Sequence, residues 1–101
     1  MFDLTIIVGR LGADPETDFT KNGRQVAHFS VAVDRGEKTT WFRVTAWDKQ
    51  AEACAKYLHK GDPVLVQGQV SASAYVGDDG EAHPRLELTA RVVKFLPGGS
   101  Q

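Results

Sequence analysis

The chain has 101 residues, of which 42 % are apolar and 25 % charged, an ordinary globular composition that suffices for one core and not for two. Lys+Arg total 12 against 13 Asp+Glu, a formal net charge of −1. This excludes nucleic-acid binding by bulk positive charge but leaves room for a local basic groove. The single cysteine, Cys54, excludes an internal disulfide and a cysteine-built metal site. No apolar run approaches the roughly 20 residues of a membrane span. The opening MFDLTIIVGR lacks the basic n-region of a signal peptide. A cytoplasmic single domain with no membrane partner is expected.

In chain order, Leu4 to Leu11 is β-branched and stops at Gly12-Ala13-Asp14-Pro15, a first strand followed by a break. A polar stretch follows, with a tight-turn signal at Asn22-Gly23. From Gln25 to Asp34, Ala27, Phe29, Val31 and Val33 alternate with His28, Ser30 and Ala32, a second strand buried on one side. A short charged connector, Arg35 to Lys38, leads into a third strand over 39–48. The period then changes. Ala51, Cys54, Ala55 and Leu58 make an apolar stripe at helical spacing, with Asp48 as N-cap, Lys60 in the last turn and Gly61 as the stop. A fourth strand starts at Pro63, with Val64, Val66, Gly68 and Val70 inward, and runs on toward Tyr75. Gly77-Asp78-Asp79-Gly80 is a hairpin turn. A fifth strand over 85–96 turns Leu86, Leu88, Ala90 and Val92 inward and Arg85, Glu87, Thr89 and Arg91 outward. Residues 97–101 form a short flexible end.

Five strands with one helix between the third and fourth is the element order of an OB-fold, an all-β five-stranded Greek-key barrel. A ferredoxin-like fold needs a second helix, which the chain lacks.

The third strand carries the most chemistry. Trp41, Arg43, Thr45 and Trp47 share one face, and Phe42, Val44 and Ala46 the other. The second set makes a barrel interior. The first puts two tryptophans outside with an arginine between them, so that face is either covered by another subunit or is a working surface. Tyr75 continues the polar row Gln67, Gln69, Ser71, Ser73 on the fourth strand. Aromatic platforms interleaved with cations suit single-stranded nucleic acid. Stacking contributes roughly 1–3 kcal/mol per base with little sequence preference. Phosphates pair with Lys and Arg in a salt-dependent manner. The candidate stacking residues are Trp41, Trp47 and Tyr75. The candidate phosphate contacts are Arg43, Lys49, Lys60, Arg10, Arg35, Lys38 and Arg85. RNA single strands are a second ligand class for such a surface.

Other titratable residues read more plainly. His28, His59 and His83 lie on different elements without metal-ligand spacing and are expected to be surface or satisfied histidines. Cys54 is expected in the core, and Asp78, Asp79 and Glu81 on a solvated hairpin tip. No nucleophile with a partner, carboxylate pair or phosphate-cradling glycine loop is present, so neither catalysis nor a cofactor or metal is expected.

These residues resemble a known family. The run from Ile7 to Glu16 is similar to the V-G-N-L-G-x-D-P-E opening of bacterial single-stranded DNA-binding proteins. Gly23 with Val26 to Ala32 is similar to their second-strand signature. Thr40 to Val44 with Trp47 and Lys49 resembles the T-x-W-x-x-V-x-x-[FW]-x-K block. Tyr57 to Gly61 and Val64 to Val70 resemble the end of the helix and the next strand. The resemblance spans residues 4 to about 96.

It implies an OB-fold domain over residues 1–96, commonly a homotetramer, coating single-stranded DNA in replication, recombination and repair. It places Trp41, Trp47 and Tyr75 where the family keeps stacking aromatics, and Arg43, Lys49 and Lys60 at backbone-contact positions. Asp34-Arg35-Gly36 stands where the family carries a further stacking tryptophan, and Arg10 replaces its asparagine. The family's long linker and acidic tip have no counterpart in Pro97 to Gln101, so acidic-tail recruitment of partner enzymes is not expected of this chain. Two other classes fit the same residues. One is a replication accessory OB protein of primosomal type, acting mainly through protein contacts. The other is an assembly module whose tryptophans are buried between subunits.

Overall fold

A computed structural model of the chain describes residues 4–98. Six strands and one helix follow in order: β1 Thr5–Leu11, β2 Glu16–Phe19, β3 Gln25–Arg35, β4 Lys38–Trp47, α1 Asp48–Tyr57, β5 Pro63–Val76 and β6 Ala82–Phe95. The sheet order is β1-β5-β6-β4-β3-β2, and β1 also pairs with β3. That extra pairing closes a ring of β1, β3, β4, β6 and β5, and among the described residues β4 with β6 is the one parallel contact. Ring closure leaves β2 as the single flanking strand and gives the OB-type barrel expected from the element order.

Closure depends on a bare backbone at one point. β1 pairs with β5 from Thr5 to Arg10 and with β3 at Arg10 and Leu11, so three strands converge there. A Cβ on Gly9 would stand inside the carbonyl group of Ala32. The absence of a side chain lets β1 change partners.

The interior is filled from alternate positions. Ile7, Leu11, Ala27, Phe29, Val31, Phe42, Val44, Ala46, Val64, Val66 and Leu88 form one buried cluster, which α1 joins through Ala51 and Cys54. On β6 the inward set differs from simple alternation. Gln67 pairs with Val92 but Gly68 pairs with Ala90, so Arg91 is an extra residue, a β-bulge. Leu86, Leu88 and Ala90 still turn inward, but beyond the bulge the core-packing residue is Val93, and Val92 moves to the outer face. The Arg91 carbonyl at the bulge accepts from Nε2 of Gln50 on α1 at 3.2 Å.

The polar stretch before the second expected strand also forms structure. Glu16 to Phe19 pairs with β3 around a turn in which Gly23 adopts φ 81. All four residues of this strand are exposed, which leaves no alternation in the sequence to mark it. The helix is shorter than its stripe predicts. It ends at Tyr57, where the Leu58 N–H donates to Cys54, so Lys60 lies beyond it. The next N–H groups go elsewhere: His59 donates to the buried Asp62 carboxylate, and Gly61 donates to Leu11 of β1. Ala55 faces solvent rather than the core. Asp48 is the first helical residue, not the cap, and makes no capping bond. Among the described residues no helix is long and apolar enough to cross a membrane. Of the expected loose end, residues beyond Gly98 lie outside the described part.

Candidate nucleic-acid interface

Residues paired directly across a sheet share a face, so the register assembles the outer surface of β3, β4, β6 and β5. One row is Ser30, Arg43, Glu87 and Ser71; the next is His28, Thr45, Thr89 and Gln69. Trp41 stands opposite Ala32, and Ala32 opposite Arg10 of β1. Ser73 faces Arg85, and Tyr75 faces His83. Trp47, paired with Val26, ends the β4 row. At about 3.3 Å per residue it stands roughly 20 Å from Trp41.

Trp41 and Tyr75 are far apart in sequence, yet they line one open groove of about 250 Å³ with Ser30, Arg43, Pro84, Arg85 and Leu86. Both rings remain accessible: Trp41 is 52 % exposed and Tyr75 43 %. The Arg85 guanidinium lies 4.8 Å from the Tyr75 ring centroid. Arg85 and the His83 ring, with its centroid 5.5 Å away, both pack on Tyr75, which keeps part of its ring accessible. Trp41 rests on Gly12, where a Cβ would approach ring atom Cζ3 to 2.5 Å. Glu87, opposite Arg43, is the acidic member of the same row.

Trp47 is the least open of the three aromatics. Arg24 covers it, with the guanidinium 4.6 Å from the ring centroid. Two bonds to Asp48 hold Arg24 there, Nε to Oδ1 at 3.2 Å and Nη2 to Oδ2 at 2.9 Å. The fork geometry fixes the plane of the guanidinium as well as its position. Asp48 in turn adopts φ 57, a conformation that non-glycine residues rarely take outside Asn and Asp. The Arg24 bond holds the Asp48 carboxyl below its ordinary range, and the guanidinium is raised in return.

The remaining predicted cations surround this surface at different distances. Lys38 and Arg35 face each other at the tip of the β3–β4 hairpin, beyond Trp41. Arg10 shares the Trp41 row, but its Nη1 donates to the Gly61 carbonyl at 2.9 Å. The Lys60 backbone N–H donates to Asp14 Oδ1 at 2.8 Å, tying that turn to the same end of β1 that underlies Trp41. Lys49 lies on α1, one residue past the Trp47–Asp48 corner. The groove itself thus gathers Trp41, Tyr75, Arg43 and Arg85, while Trp47 and Lys49 form a separate end.

Residues 2–96 match the family model of the Single-strand binding protein family. The chain belongs to this family. It is 35 % identical over 105 residues to the single-stranded DNA-binding protein of Neisseria meningitidis serogroup A, covering 95 % of this chain and 60 % of that protein. It is 39 % identical over 109 residues to the protein of the same description from Halalkalibacterium halodurans, covering 100 % of this chain and 65 % of the relative. A Thermotoga maritima relative is 35 % identical over 104 residues, with coverages of 94 % and 74 %. The chain thus spans less than two thirds of the length of the first two.

Two residues of this single-strand binding family member escape a reading of strand alternation. Arg24 lies at the mouth of the β2–β3 hairpin, and only the Val26–Trp47 register brings it over Trp47. His83 is brought to Tyr75 by the hairpin, with ring centroids 5.5 Å apart. The Gly77–Gly80 turn carries a usable signal for the second. Once Gly77 bonds Glu81 across it, counting back along both strands pairs Tyr75 with His83.

Proposed function

We propose that this chain binds single-stranded DNA without sequence preference, stacking bases on Trp41, Trp47 and Tyr75. Phosphates pair with Arg43 and Arg85 in the groove and with Lys49, Lys60, Arg10, Arg35 and Lys38 around it. The observation that carries the reading is the joining of Trp41 and Tyr75 in one open groove with two guanidiniums. Aromatic faces and cations at one place serve an unpaired strand, whose bases offer π-faces that a duplex hides. Membership of the Single-strand binding protein family supports it, as do the relatives' names. On this reading the protein acts without catalysis or cofactor, in the cytoplasm, protecting single strands during replication, recombination and repair.

The binding unit is residues 1–96, and it works as an oligomer, a tetramer by family likeness. The outward residues of β1 support self-association: Ile6 is 57 % exposed and Val8 53 %, an apolar stripe on a closed barrel. Linked protomers would multiply platforms along one strand through effective concentration.

The test is a titration of intrinsic tryptophan fluorescence with oligo(dT) at low and high salt, with a duplex of equal length as control. Saturable quenching by the single strand alone, weakened by salt, is expected. Trp41→Ala should weaken binding by roughly 1–3 kcal/mol. An unchanged spectrum on adding the single strand would refute the reading.

A further inference from the structure

The groove does not end at Tyr75. Beyond it an open depression is lined by Tyr75, Val76, Gly77, Asp78, Asp79 and His83. The His83 ring packs against Tyr75 as a tilted pair, at 32° with centroids 5.5 Å apart, which extends the aromatic surface past Tyr75. The imidazole is fixed from two further sides. Its Nε2 stands 3.1 Å from both carboxylate oxygens of Asp79. Gly77 lets it approach, since a Cβ there would come within 2.9 Å of Cδ2 and Nε2. Even so, the His83 side chain remains 40 % exposed. A ring that is held in place and open on one face is a preorganised stacking surface.

We propose that His83 is a fourth base-stacking position of this protein, next to Tyr75 at the far end of the groove. The proposal rests on the single-strand binding reading above and extends it.

An ionised carboxylate only accepts, so the His83 nitrogen facing Asp79 carries a proton and the contact is a hydrogen bond that holds the ring in place. The Glu81 N–H and then His83 keep the Asp79 carboxyl below its ordinary range. Arg85 lies over the Tyr75 ring from β6 and supplies the cation at this end of the groove.

The experiment is equilibrium binding of oligo(dT) at pH 8 and constant ionic strength, comparing the full chain with His83→Phe and His83→Ala. His83→Phe keeps a flat ring and should match wild type. His83→Ala should bind about fivefold more weakly, the lower range for one stacking platform. Wild-type affinity for His83→Ala, or a loss in His83→Phe as large as that in His83→Ala, overturns the proposal alone. Absence of binding by wild type overturns the single-strand reading and this proposal with it.

Discussion

The indole of Trp41 rests on the backbone of Gly12, so near that a Cβ on Gly12 would stand 2.5 Å from Cζ3 and 2.8 Å from Cη2. The end of β1 therefore sets the tilt of a side chain on β4. Gly12→Ala should move the ring rather than the backbone, because the crowded atoms belong to the far end of a side chain. The expected loss of stability is within about 1 kcal/mol. The oligo(dT) affinity should nonetheless fall, and a double variant with Trp41→Ala should show no additional loss.

Arg24 shields the Trp47 ring. In a Trp41→Phe background, where Trp47 is the remaining tryptophan, Arg24→Ala should shift emission to the red and increase acrylamide quenching. Asp48→Asn should act in the same direction by releasing the tethered guanidinium. Emission that stays unchanged in both variants would mean that the indole is covered by something other than Arg24.

Asp48 makes an acid-side prediction. Arg24 lowers its folded pKa, so the unfolded chain takes up the proton first as pH falls. The resulting stability is fully present above the unfolded carboxylate range and is lost as pH drops through the depressed folded value. Asp79 behaves alike. Denaturant midpoints measured from pH 6 to pH 2.5 should therefore fall less steeply in Asp48→Asn than in wild type.

Gly9 is the point at which β1 leaves β5 for β3. Its added Cβ would collide with backbone, the Ala32 carbonyl, which cannot rotate away. Gly9→Ala should destabilise by roughly 2 kcal/mol or more, with thermal unfolding as the measure. Gly12→Ala, one residue past the same strand, is the mild comparison.

Cys54 is fully buried in the core cluster, and burial pushes its thiol up to about 11. The thiolate is the reactive species. Alkylation at pH 8 should therefore be slow in the native protein and become rapid in denaturant. Fast native labelling would indicate that α1 separates from the barrel.

Much of this protein is written locally. Side chains alternate along any strand, so the sequence by itself puts Trp41, Arg43 and Trp47 on one face and Phe42, Val44 and Ala46 on the other. The turns at Gly23 and Gly80, both with positive φ, are likewise legible from residue type, because glycine adopts that conformation freely. Together with the helical stripe they mark the five barrel strands and the helix in order, and hence the barrel class, but not β2. Tertiary structure decided what meets across the barrel. Tyr75 shares a groove with Trp41 only because β6 pairs with both β4 and β5. The Gly77–Gly80 turn sets the β5–β6 half of that register, but the β4–β6 half comes from ring closure, which leaves no periodic trace. The helix stops at Tyr57 because Leu11 and Asp62 take the bonds of the following turn. Arg24 reaches Trp47 across a hairpin whose exposed strand has no apolar rhythm. Alternation is a property of one strand's own geometry. Register between strands depends on contacts that exist only once the ring has closed.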